Sequence, residues 1–125
     1  RVKLKYLDSE NARRARHARR YLNLLQNGNL RLPLGDDHKT TSVWHQFTVR
    51  TPKRVELQIN LAEAGIHCGV LYPVPLHHQP AFAAPETLPL SERACDEVLC
   101  LPVHPSLATA DIDRVAAQIL RWSSP

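Results

Sequence analysis

The side chains that could do chemistry here are seven histidines, three cysteines, an arginine-rich run and one proline-laced segment. The run Arg13, Arg14, Arg16, His17, Arg19, Arg20 could neutralise phosphates if its cations shared a face. It lacks a recognition-helix pair, zinc spacing or interleaved aromatics, and Glu10 stands four residues before Arg14, so a solvated or partner-contacting face is the better reading. A regulatory or nucleic-acid-binding module using helix 13–20 remains the alternative function. His77 and His78 are adjacent, and His67 adjoins Cys68. Zinc pairs are usually separated by two to four residues, and immediate neighbours on a helix or strand point apart, so no metal is expected. Cys68, Cys95 and Cys100 are an odd set without a CxxC pair, which suits reduced, buried thiols in a reducing compartment. No serine sits in a GxSxG elbow, and the four glycines are too scattered to cradle a phosphate. What remains is Gly65 to Phe82, GIHCGVLYPVPLHHQPAF, where a strand and a stiff loop present a tyrosine hydroxyl and imidazoles.

The elements that must position this segment follow from periodicity. Leu4, Leu7, Asn11, Ala15, Ala18, Leu22 and Leu25 recur at steps of three and four, predicting a helix over Arg1–Gln26 that stops at Asn27-Gly28-Asn29. A loop containing Pro33, Gly35, Asp36, Asp37 and His38 follows. Thr41–Arg50 alternates, with Val43, His45, Phe47 and Val49 on one face, which predicts a strand. Thr51 and Pro52 open a helix to Ala64, closed by Gly65 and Ile66. In that helix Val55, Ile59 and Ala62 lie opposite Leu57, Leu61 and Ala64, so it should be covered on two sides. His67–Tyr72 reads as a strand, Pro73–Pro89 with its five prolines as an ordered loop, Pro89–Leu99 as a helix and Cys100–Val103 as extended. Thr109 should cap a last helix whose inner face is Ile112, Val115, Ala116, Ile119 and Leu120.

This order describes one α+β domain of 125 residues, large enough to bury a core. A hydrophobic content of 43% with 22% charged residues is ordinary for a globular protein, and no stretch approaches the roughly 20 apolar residues of a membrane span. No secretory signal is readable after Arg1–Lys5, so the expected location is the cytoplasm. The net charge of +4 leaves an acidic or phosphorylated partner open. The absence of any methionine suggests a chain cut from a longer protein.

Four blocks, VKLKYLD with the arginine-rich helix after it, VWHQFTVR, AGIHCGVLYPVPLHHQPAF and LPLSERACDEVLCLPVHPSLATADIDRV, together resemble the carboxy-terminal domain of DegT/StrS-type, pyridoxal-phosphate-dependent nucleotide-sugar aminotransferases, some of which carry the label of pleiotropic regulatory protein. The resemblance implies the small domain, residues 1–125, of a homodimeric fold-type I enzyme that moves an amino group from an amino acid to a nucleotide-linked keto sugar. It also implies that the lysine, acid and phosphate-binding residues that hold pyridoxal 5'-phosphate belong to a preceding domain absent here, so that the chain alone binds no cofactor covalently and is inactive. Lys3, Lys5, Lys39 and Lys53 all fall in segments matching the small domain. By the same resemblance Tyr72, His77 and His45 are the substrate-binding residues, while Leu71 stands where many members have histidine.

Overall fold

The structure is a computed structural model and describes residues 2–37, 39–82 and 85–123, so Arg1 and His38 lie outside the described residues. Helix α1 (Leu7–Leu25) follows a 3-10 turn at Leu4–Tyr6. Strand β1 (Phe47–Arg50), helix α2 (Arg54–Glu63), helix α3 (Pro89–Glu97), strand β2 (Val98–Leu101) and helix α4 (Thr109–Ser123) complete the chain. The strands pair antiparallel, Phe47 opposite Leu101 and Arg50 opposite Val98, and α1 and α2 both pack against α4. Single bridges extend the sheet on both sides, Arg31 to Arg50 beside β1 and Gly69 to Cys100 beside β2. This is the expected α+β class: a small sheet with flanking helices.

The core gathers Tyr21 and Leu25 from α1, Phe47 and Val49 from β1, Leu57 and Leu61 from α2, Leu99 from β2, and Ile112 and Ile119 from α4, all fully buried. Tyr21 also hydrogen-bonds the Pro102 carbonyl at 2.9 Å, so its hydroxyl enters the interior with a partner. Burial pushes that phenol's pKa upward, with smaller contributions from Cys68 and Asp111. The inner face of α4 is as expected. Its cap is not Thr109, which already lies in the helix; Asp111 reaches back and accepts the Ala108 N–H at 2.8 Å.

Several expectations need correction. In the helix predicted from Arg1, Leu4 falls in the 3-10 turn and is exposed, as is Leu7, and Tyr21 takes a core place, because the buried residues of α1, His17, Ala18, Tyr21 and Leu25, all lie in its later turns. The strand predicted over Thr41–Arg50 begins only at Phe47. Trp44 has φ +49°, in the left-handed region, and its indole is buried against Phe47 with ring centroids 5.7 Å apart. Burying so large an aromatic outweighs a left-handed residue's cost of about 1–2 kcal/mol. The alternation therefore breaks, and His45 faces out. His67–Tyr72 forms no strand beyond the bridge at Gly69, and β2 starts at Val98, two residues earlier than expected. The end of α2 is as read: Gly65 has φ +71°, its N–H bonds to Ala62 O, and the Ile66 N–H bonds to Leu61 O. Among the described residues only one face of α2 is covered. Leu57 and Leu61 are buried, whereas Val55 and Ile59 are each more than half exposed.

Candidate functional site

The segment after Gly65 leaves the sheet at Gly69 and runs through Tyr72 into two 3-10 turns, Leu76–His78 and Pro80–Phe82. Pro75, at φ −63° and ψ 151°, sets the extended entry to the first turn. That turn delivers His77 into the interior, 8% exposed, with Nε2 3.0 Å from Glu92 Oε1. Glu92 lies in the first turn of α3 and also accepts the Leu88 N–H at 2.9 Å, so one carboxylate ties the loop to the helix start. The Leu88 N–H, then the His77 bond and the nearby His78 ring, hold this carboxyl below the usual glutamate range.

A depressed folded value means that stability is present above the unfolded glutamate pKa, about 4.3, and is lost as pH falls through the lower folded value. Urea midpoints followed downward through that window should fall more steeply for the parent than for Glu92→Gln. Parallel curves for the two would show that the Glu92 contacts do not contribute.

The three substrate-binding candidates are not gathered into one pocket. Tyr72 is 71% exposed, on a stretch that also exposes Leu71, Val74 and Leu76. His77 is turned inward to Glu92. His45 opens instead into a groove of about 570 Å³ between the start of α1 and residues 43–45, lined by Leu4, Leu7, Asn11, Arg14 and Val43 among others. Glu92 is the residue that sequence reasoning passed over as a site member. Its signal was present, since it is the acid of the LP-x-x-E block that follows the Pro-Leu-His loop. The expectation that His77 and His78 point apart also needs correction: their ring centroids lie 4.2 Å apart, because both rings turn toward Glu92.

The arginine-rich run lines a separate cleft of about 730 Å³ with the turn that leads into α4. Its charge is partly matched: Arg20 pairs with Asp113, Arg19 with Asp36 at 3.6 Å and Arg14 with Glu10 at 3.9 Å. Arg13 and Arg16 have no carboxylate partner among the described residues. This is a smaller uncompensated patch than the sequence suggests, and nothing in it favours nucleic acid. The three cysteines are free thiols; burial, and secondarily Cys100, pushes the Cys68 thiol up to about 11.

A pyridoxal cofactor requires a lysine whose amine is desolvated or otherwise kept neutral enough to attack a carbonyl. Lys3, Lys5, Lys39 and Lys53 are all exposed. Lys53 Nζ lies 3.8 Å from Glu56, and Lys5 Nζ sits 4.9 Å over the Tyr6 ring. No helix among the described residues is long and apolar enough to cross a membrane.

Residues 1–120 match the DegT/DnrJ/EryC1/StrS aminotransferase family. The chain is 37% identical over 123 residues to the dTDP-3-amino-3,6-dideoxy-alpha-D-galactopyranose transaminase of Aneurinibacillus thermoaerophilus, covering 97% of this chain and 34% of that protein. It superposes on the crystal structure of S. venezuelae DesV, solved with a ketimine intermediate, with a TM-score of 0.92 and 38% identity over 100% of this chain and 35% of the other. Bacillus subtilis NtdA, solved with bound cofactor PMP, gives a TM-score of 0.81 at 32% identity, over 94% of this chain and 29% of that one. The chain thus spans about a third of the length of the relatives it matches, and it belongs to the DegT/DnrJ/EryC1/StrS aminotransferase family.

Proposed function

We propose that residues 1–125 are the carboxy-terminal domain of a pyridoxal-phosphate-dependent aminotransferase that transfers an amino group from an amino acid to a nucleotide-linked keto sugar, and that the cofactor domain lies outside this chain. The observation that carries this is the overlap of 97% of the chain with only 34% of a sugar transaminase, joined to the exposure of all four lysines. In this reading the domain shapes the sugar-nucleotide pocket. Tyr72 offers its hydroxyl to the substrate, His77 keeps the loop in place through Glu92, and His45 contributes from its own groove. The whole enzyme works as a cytoplasmic homodimer. The uncovered Val55 and Ile59 stripe supports a partner surface for α2, since an exposed apolar stripe on a helix calls for cover.

Two measurements test this. The 125-residue chain treated with pyridoxal phosphate and borohydride should carry no pyridoxyl group fixed on one particular lysine; specific labelling of one of the four would overturn the reading. In a longer protein that contains the chain, Tyr72→Phe should raise KM for the nucleotide sugar about tenfold with a smaller effect on kcat, the signature of a lost binding hydrogen bond. An unchanged KM would remove Tyr72 from the site.

A further inference from the structure

Two histidines and a carboxylate converge where the turn Leu76–His78 meets the start of α3. His77 Nε2 lies 3.0 Å and His78 Nε2 3.9 Å from the same oxygen, Glu92 Oε1, and one ligand atom from each residue lies within 4.8 Å of the others. We propose that His77, His78 and Glu92 form a binding site for a divalent transition-metal ion of the zinc type. Fastening the loop needs one histidine on Glu92. It does not explain why a second imidazole is turned to the same carboxylate.

The distances fit an ion. Nitrogen and oxygen ligands about 2.0–2.1 Å from a tetrahedral metal stand roughly 3.4 Å from one another. The two histidine–carboxylate separations, 3.0 and 3.9 Å, bracket that value, and all three ligand atoms lie within 4.8 Å of one another, so the imidazoles draw toward each other as an ion binds. Two imidazoles with one carboxylate suit zinc, cobalt or nickel; calcium and magnesium prefer oxygen alone. The Leu88 N–H, 2.9 Å from Oε1, orients the carboxylate as outer-shell donors do in metal sites. His77 is buried and forms the inner wall, while the side chain of His78 is 51% exposed and leaves a way in from solvent. On binding, the ion takes the place of the proton between His77 Nε2 and Glu92 Oε1, that proton passes to Nδ1 of the same ring or, from an imidazolium, to solvent, and a water completes the fourth position. The positive end of α3 opposes a cation, which sets the affinity below that of a closed four-ligand site.

The proposal does not rest on the aminotransferase reading, because its test involves no turnover. Untagged 125-residue chain, stripped with a chelator, is titrated with Co(II) alone and followed by visible absorption. One equivalent should give ligand-field bands of tetrahedral intensity, and Zn(II) should displace them and raise the thermal midpoint. His78→Ala, at a half-exposed position that should not disturb folding, should weaken binding about tenfold or more, with Glu92→Gln acting in the same direction, whereas His104→Ala should leave it unchanged. Co(II) binding as tight in His78→Ala as in the parent, or no bands in the parent, overturns the proposal.

Discussion

Phe47→Ala should destabilise the chain by about 3–5 kcal/mol, a loss large enough to unfold many domains of this size. Phe47 is fully buried at the first position of β1, with its ring centroid 5.0 Å from Tyr21 and 5.7 Å from Trp44. Truncation removes the middle ring of three, opens a void where close packing had been, and withdraws the surface that holds Trp44 in its left-handed conformation. Urea unfolding checks this. A midpoint change equivalent to less than about 1 kcal/mol would mean that the aromatic group is not the centre of the core.

The second large effect separates the two faces of α2. Leu61→Ala should cost about 2–5 kcal/mol, because Leu61 is fully buried and leaves a cavity. Ile59→Ala, two residues away on the exposed side, should stay within about 0.5 kcal/mol in this chain. The same pair measured in a longer protein containing the chain gives a second readout. If that protein covers the Val55 and Ile59 stripe, Ile59→Ala becomes costly there while remaining mild here.

What the sequence revealed follows from which forces are local. The inner face of α4 and the Gly65-Ile66 stop of α2 were legible because helical spacing and a left-handed glycine are properties of neighbouring residues. The strand over residues 41–46 was misread because Trp44 and Phe47 stack on each other, a contact that no alternation rule encodes. His67–Tyr72 looked like a strand by composition, but only Gly69 finds a partner in β2. The leading turns of α1 and the outer side of α2 carry apolar periodicity that the described fold does not bury, so their pattern records a surface without showing what covers it. At the candidate site Tyr72, His77 and His45 were legible as polar groups in motifs that resemble a family's. Their relative placement was not: the inward turn of His77 depends on Glu92, fifteen residues later, and on where α3 happens to begin.

The two bridges flanking the sheet bear on how the protein behaves in a crowded solution. A two-stranded ribbon normally offers two rows of unpaired amides to any passing chain, an invitation to fibril growth. Here Arg31 engages the outer side of β1 through a reciprocal pair of 2.9 Å bonds with Arg50, and Gly69 engages β2 through bonds of 3.1 and 2.8 Å with Cys100. Each strand is only four residues long, so one such staple screens much of its free border. Recruitment of a further chain by strand addition is thereby discouraged.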